Sequence, residues 1–304
     1  MKILDGKKLA TTILADLHSR VAQLSFQPGL AVIMVGEDPA STAYVNQKKL
    51  AASAVGVKFF EINFPTTVTT DDLILQIAAL NQRESVHGII VQLPLPAGVA
   101  TDSILNAIDP LKDVDGFHPV NHGRNVIGDT NLLPPATPAG IMRLLAEYEI
   151  PLEGREVVIV GHSNIVGKPL ASMMLNANAT VTVCHKFTQD LAKKTKQADI
   201  LVSATGVPNL IKATMVKKDA VVVDVGCSKV NDRLVGDIDF AKVQEKASYI
   251  TPVPGGVGPM TVAMLIANVV TAAERTSGHI VEDAPRLYRR ASDVGPDTND
   301  AMRK

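Results

Sequence analysis

"VVIVGHSNIVGKPL", Val157 to Leu170, is an apolar, β-branched run that turns on a glycine toward a helix, the way a dinucleotide-binding unit opens. The usual fingerprint spaces three glycines as G-x-G-x-x-G. Here Gly161, Ser163 and Gly167 stand instead, with an extra residue between the last two. In the fingerprint the first glycine makes the turn, the second lets pyrophosphate approach the backbone, and the third lets helix and strand pack closely. Serine in second place is small, carries a hydroxyl donor and favours a helix N-terminus, so the site survives the change. The alternative is a plain packing corner between strand and helix.

Downstream the strand pattern recurs. "ATVTVCH", "ADILVSATG" and "AVVVDVG" are short, β-branched and almost continuously apolar, as strands covered on both faces must be. With "VVIVG" they predict an α/β, Rossmann-like, doubly wound sheet. The stretch "TVTVCHKFT" ends about 20 residues beyond the glycines, where NAD-binding proteins carry Asp or Glu for the ribose 2′-hydroxyl. This chain has His185 and Lys186 there, and His162 in the glycine turn. Cations suit a 2′-phosphate, so NADP is expected in preference to NAD; the alternative for Lys186 is a solvated lysine after a strand.

Upstream lies another α/β unit. "GLAVIMVG" (Gly29 to Gly36), "VKFFEINF" (Val57 to Phe64) and "HGIIVQLPLP" (His87 to Pro96) read as strands, and Lys8 to Leu24, Pro39 to Val55, Thr70 to Asn81 and Asp102 to Ala107 as helices. "PPATPAGIMRLLAEYEI" adds a bridging helix with apolar Ile141, Leu144, Leu145 and Tyr148. After the second unit, "YITPVPGGVGPMTVAMLIANVVTAA" leads through a glycine-proline loop into an apolar helix from about Met260 to Thr276, expected to be buried against the first unit. The predicted division is 1–140, completed by the helix within 258–278, then 141–257, then a polar tail, 279–304, expected to be loosely held.

A chain of 304 residues exceeds the roughly 250 at which single cores tend to split, in keeping with two domains. Its 30 basic and 31 acidic side chains give a net charge of −1 and no sign of a nucleic-acid or membrane partner. Cys184 and Cys227 each close an apolar run without a second Cys or His at metal spacing, so no disulfide framework and no metal are expected. The N-terminus breaks its apolar residues with Asp5, Lys7, Lys8 and Asp16, unlike a signal peptide. The run Val262 to Val270 falls short of the roughly 18 residues that span a bilayer. A soluble, cytoplasmic protein is expected.

In the first unit, Asp38 or Ser41 can cap the helix "PASTAYVNQKKLAASAV", Pro39 suits its first turn and Gly56 can end it. Tyr44 and Lys48 are four apart and share a stripe. Such a lysine is ordinarily a surface residue, but Gln92 stands just where a parallel strand runs out, the edge at which α/β sheets bind ligands. "DPLKDVDGFHP" sets Asp113 and Asp115 before a glycine, which on the residues alone reads as a turn.

These segments together resemble the bifunctional methylenetetrahydrofolate dehydrogenase/cyclohydrolases. The resemblance rests on "YVNQKK", "HGIIVQLPLP", "KDVDGFHP", "TPAGIMRLL", "VVIVGHSNIVGKPLA", "VVVDVG" and "TPVPGGVGPMTVAMLIAN", and runs from about Leu4 to Ala273. It implies oxidation of 5,10-methylenetetrahydrofolate with NADP, hydrolysis of the methenyl product to 10-formyltetrahydrofolate, and a homodimer formed through the nucleotide-binding unit. Lys48 then serves the hydrolysis, Gln92 holds it, and Tyr44 stacks on the pterin or its aryl neighbour. Asp115 binds the pterin N–H edge, Pro254, Gly255 and Gly256 lie beside folate and nicotinamide, and the main chain around Cys227 touches the nicotinamide end. Cys227 itself is expected to be a small buried residue. Many members have Arg where His162 stands, and histidine is only partly charged near neutral pH, so NADP preference leans on Lys186. A cysteine common before "TPAG" is Ala136. The alternatives are a dehydrogenase-only relative, possibly NAD-dependent, and a two-domain oxidoreductase for amino or hydroxy acids, which would want more than one cation in the cleft.

Overall fold

The computed structural model describes residues 1–231 and 233–276; the predicted tail, 279–304, lies outside the described residues. The chain starts with a two-residue strand, β1 (Lys2–Ile3), and α1 (Gly6–Val21), whose first turn is capped by Asp5 accepting from the Lys8 N–H at 2.9 Å. Then β2 (Gly29–Val35), α2 (Pro39–Val55), β3 (Lys58–Phe64), α3 (Thr70–Gln82) and β4 (Gly88–Val91) alternate. They build a parallel three-stranded sheet of order β3-β2-β4. Its central strand is buried along both faces: Ala31 and Ile33 meet Leu73, Ile77 and Ile89, while Leu30 and Val32 meet Val45, Ala52 and a C-terminal helix.

Strand β4 is shorter than the predicted His87 to Pro96. The ladder's last rung is the Gln92 N–H donated to the Ile33 carbonyl at 2.9 Å, and Pro94 and Pro96 have no N–H to extend it. Beyond it come α4 (Thr101–Ala107), α5 (Pro119–Val126) and α6 (Ala136–Glu147). Helix α5 was not expected from the sequence, although His118 caps it by accepting the Val120 N–H and Pro119 opens its first turn.

The second sheet follows with β5 (Glu156–Val160), α7 (Gly167–Asn176), β6 (Thr180–Cys184), α8 (Leu191–Thr195), β7 (Ile200–Ser203) and β8 (Val221–Asp224). A hairpin of β9 (Ser228–Val230) and β10 (Arg233–Val235), also unforeseen, precedes α9 (Phe240–Val243), β11 (Tyr249–Ile250) and α10 (Val257–Thr276). The order is β1-β11-β8-β7-β5-β6, all parallel, so the first residues of the chain supply an edge strand to the second sheet.

Helix α10 is long and apolar enough to cross a bilayer, yet 72% of its most apolar window is buried inside the protein. It packs on both units rather than on the first alone: Val257, Met260 and Ala263 join the core of the larger sheet, and Met264 to Val270 that of the smaller one. Helices α1 and α6 divide in the same way, with Leu9, Ile141 and Leu145 on one side and Leu17, Ala136 and Ala139 on the other. Close approach fixes the joint, since a Cβ on Gly140 would sit 3.0 Å from that of Met260. Tyr44, on α2, meets Cys227, just beyond the carboxyl end of β8, so α2 and the end of β8 face one cleft between the two units.

Candidate active site

Helix α2 is capped by Asp38, whose carboxylate accepts the Ser41 N–H at 2.7 Å, and ended by Gly56 at φ +90°. Ser41, Val45, Lys48, Ala52 and Val55 fall on one stripe of it. Four of the five are buried, and Lys48, half-buried, is the charged member. Its ammonium reaches the sheet end, donating to Gln92 Oε1 at 3.0 Å. Gln92 Nε2 donates to the Leu93 carbonyl at 2.9 Å, which turns the amide oxygen toward the lysine.

Asp115 completes this group. Burial pushes its carboxyl above the ordinary value, the Lys48 charge opposes that rise, and Asp113 adds to it. The loop presenting Asp115 is held on every side. Asp113, 1% exposed, accepts the His118 N–H at 2.8 Å and the Asn121 amide at 2.9 Å through one oxygen. Asn268 of α10 donates to the carbonyls of Val114 and Pro134, both at 2.8 Å. Gly116, at φ +73°, lets Pro135 approach to where a Cβ would sit 2.4 Å from its nitrogen. Sequence reasoning passed over Asn268, whose only signal was an amide within an apolar helix.

Tyr44 is exposed beside Lys48 and reaches across the cleft to the Cys227 side chain; burial, and secondarily Cys227, push its hydroxyl up. Cys227 is exposed, not the small buried residue expected. Strand β8 ends at Asp224, and the chain turns out into the cleft at Gly226, leaving the thiol outside the core. Pro254, Gly255 and Gly256 follow β11 on the same side and are tied to α1 rather than to α2: the Gly255 carbonyl accepts the Lys7 N–H at 2.9 Å, and a Cβ on Gly6 would lie 1.9 Å from the Gly256 oxygen.

At the carboxyl end of the second sheet, Gly161 leaves β5 at φ +117°, where a Cβ would meet the Ala204 oxygen at 2.3 Å. A Cβ on Gly167 would sit 2.0 Å from the Gly161 oxygen, so first and third glycines act as the fingerprint requires. Ser163 differs from expectation. The extra residue lengthens the turn, α7 starts only at Gly167, and the Ser163 hydroxyl accepts the Val166 N–H at 3.2 Å inside the turn instead of at the helix N-terminus. His162 and His185 rings lie 5.0 Å apart, and the exposed Lys186 ammonium sits 4.9 Å over Phe187. An open glycine turn edged by a solvent-exposed cation and two imidazoles fits a phosphorylated dinucleotide.

Comparison with known proteins finds two family models in succession along the chain. The model of the tetrahydrofolate dehydrogenase/cyclohydrolase catalytic domain matches residues 4–115, and that of the NAD(P)-binding domain of the same proteins matches residues 135–277. The bifunctional protein FolD of Nautilia profundicola is 51% identical over 278 residues, covering 90% of this chain and 98% of its own. The solved FolD methylenetetrahydrofolate dehydrogenase/cyclohydrolase from Campylobacter jejuni superposes with a TM-score of 0.90 at 48% identity, over 91% of this chain and 99% of its own. The Trypanosoma brucei methylenetetrahydrofolate dehydrogenase-cyclohydrolase, solved with NADP and an inhibitor, gives 0.87 at 39% identity over 90% and 97%.

Proposed function

The chain belongs to the tetrahydrofolate dehydrogenase/cyclohydrolase family, and we infer from its site how it divides that family's two reactions among its own residues. It is a bifunctional enzyme that oxidises 5,10-methylenetetrahydrofolate to the methenyl form with NADP and hydrolyses the product to 10-formyltetrahydrofolate. The observation that carries the division is the Lys48 to Gln92 contact, an amine held on a buried stripe at the end of a parallel strand with Asp115 beside it.

In the oxidation, the substrate nitrogens stabilise the cation that forms, so the protein needs no general base and contributes alignment. NADP, when bound, accepts the hydride at its nicotinamide. Gly161, Ser163 and Gly167 hold the dinucleotide, His162 and Lys186 its 2′-phosphate, and the Gly226–Cys227 main chain with Pro254, Gly255 and Gly256 lines the nicotinamide end.

Hydrolysis of the methenyl cation needs proton transfer. Lys48, held at the strand end by Gln92, is the group placed to take and return a proton as water adds and the ring opens. Gln92 keeps the amine in place, Tyr44 offers its ring to the pterin or aryl group, and the Asp115 carboxylate accepts from the pterin's N–H edge. Residues 1–140 with α10 serve the folate, and 141–257 the cofactor. We further propose a cytoplasmic homodimer formed through the cofactor-binding unit, supported by the open edge at β6; a monomer in sedimentation would contradict it. Purified protein given methylenetetrahydrofolate and NADP should reduce NADP and build a methenyl absorbance that decays faster than it does spontaneously. No reduction of NADP would refute the assignment.

A further inference from the structure

Asn268 is fully buried in α10, between Ala267 and Val269, on the stretch of that helix that packs with the smaller sheet. An amide there is out of keeping with its apolar neighbours, and what it holds explains its place. Its Nδ2 donates twice, to the Val114 carbonyl and to the Pro134 carbonyl, each at 2.8 Å. Among the described residues no donor reaches its Oδ1. The side chain thus acts through its two hydrogens.

The two carbonyls belong to the two segments that enclose Asp115. The first segment runs beside β4, where the Ile89 N–H donates to the Lys112 carbonyl at 2.8 Å and a Cβ on Gly88 would lie 2.7 Å from Val114 Cγ1. The peptide group joining Val114 to Asp115 is gripped through its oxygen, so the direction in which Asp115 leaves the main chain follows from the bond to Asn268. The second segment, Pro134 to Ala136, closes on the other side: the Ala136 N–H donates to the Asp115 carbonyl at 3.4 Å, and Pro135 packs on Gly116. Asn268 pins the two segments to each other and to α10.

We propose that Asn268 is a positioning residue for the folate: by holding these two carbonyls it sets the Asp115 carboxylate where the pterin's N–H edge meets it. The inference rests on the reading that gives Asp115 that partner. Two buried carbonyls side by side need two donors from one short, uncharged side chain, which asparagine supplies. Leucine is of similar size and leaves both unpaired, and serine has a single O–H that answers one of them. Without the pin the Asp115 segment shifts and the carboxylate no longer meets the pterin. The dinucleotide wall is spared, because Val257, Met260 and Ala263, nearer the start of α10, make that helix's contacts with the core of the larger sheet.

The test is a double-mutant cycle of Asn268→Leu with Asp115→Asn, read by steady-state kinetics with the folate varied and by NADP affinity. Asn268→Leu should raise KM for methylenetetrahydrofolate about tenfold, with kcat falling far less and NADP affinity unaltered, the pattern of a lost contact made alike to substrate and transition state. Added to Asp115→Asn it should cost less than about twofold more, since the charge it positions is already gone. Asn268→Ser should fall between the parent and Asn268→Leu. Multiplication of the two effects, or a matching loss of NADP affinity, would overturn the proposal, because the amide would then support helix packing at large. Should Asn268→Leu fail to fold, the same cycle run with Asn268→Ser decides. If Asp115→Asn leaves KM unaltered, the pterin reading of Asp115 fails, and hydrogen exchange still judges the pin. The Gly116 and His118 N–H groups, both bound to Asp113, should exchange faster in Asn268→Ser than in the parent, and equal exchange refutes it.

Discussion

The Lys48 ammonium donates to Gln92 Oε1 at 3.0 Å, joining the middle of α2 to the carboxyl end of β4. Gln92 cannot swing away freely, because its N–H closes the ladder to Ile33 and its amide nitrogen is bound to the Leu93 carbonyl. The lysine is thus set by a side chain that is set in turn by the sheet.

Replacing Gln92 by Ala removes that support while keeping the lysine itself. Cyclohydrolase kcat should fall by about tenfold or more, the scale of a misplaced catalytic group, while the dehydrogenase rate changes little. Equal losses in both activities would show that Gln92 acts on folate binding and not on the lysine.

Asp115→Asn keeps the side chain's shape and removes the acceptor charge. A hydrogen bond to a charged group contributes about 1.5–3 kcal/mol, so KM for folate substrates should rise by roughly tenfold to a hundredfold with NADP affinity unaltered. Steady-state kinetics with each substrate varied in turn would reveal it.

Lys186→Ala should weaken NADP by about tenfold, one charge-assisted contact to phosphate, and leave NAD binding unchanged. A parallel drop for both cofactors would mean that the lysine supports the loop and does not contact the 2′-phosphate.

His87 makes stability pH-dependent. It is 5% exposed, stacks on Phe26 with ring centroids 5.0 Å apart, and its Nδ1 accepts the Gly29 N–H at 3.0 Å. Burial, and then Lys112, lower its affinity for a proton below the ordinary 6.5. The unfolded chain therefore takes up the proton first, so this contribution to stability is complete above about 6.5 and declines as pH falls below it. His87→Gln, which offers an acceptor but does not titrate, should show a shallower loss of Tm between about pH 7 and about pH 5 than the parent.

Much of this was legible in the residues. The β-branched runs fixed the second sheet, and Asp38, Pro39 and Gly56 bounded α2 where they stand. The stripe Ser41, Val45, Lys48, Ala52, Val55 was a stronger pointer than the pairing of Lys48 with Tyr44, because it puts a charge on a buried face. Other features had no local signature. A two-residue strand such as β1 is defined only by its partner β11, and Asp237 lies in "VGDID", which reads as a turn until Asp224 is found against it. Cys227 misled because an apolar run before it suggests burial, whereas β8 ends at Asp224 and Cys227 lies three residues beyond it.

The most direct test is Lys48→Met, assayed separately for NADP reduction with methylenetetrahydrofolate and for decay of methenyltetrahydrofolate. The account predicts a folded enzyme that still reduces NADP and has lost cyclohydrolase activity by a factor of about a hundred or more. Ring opening at the parent rate would contradict it.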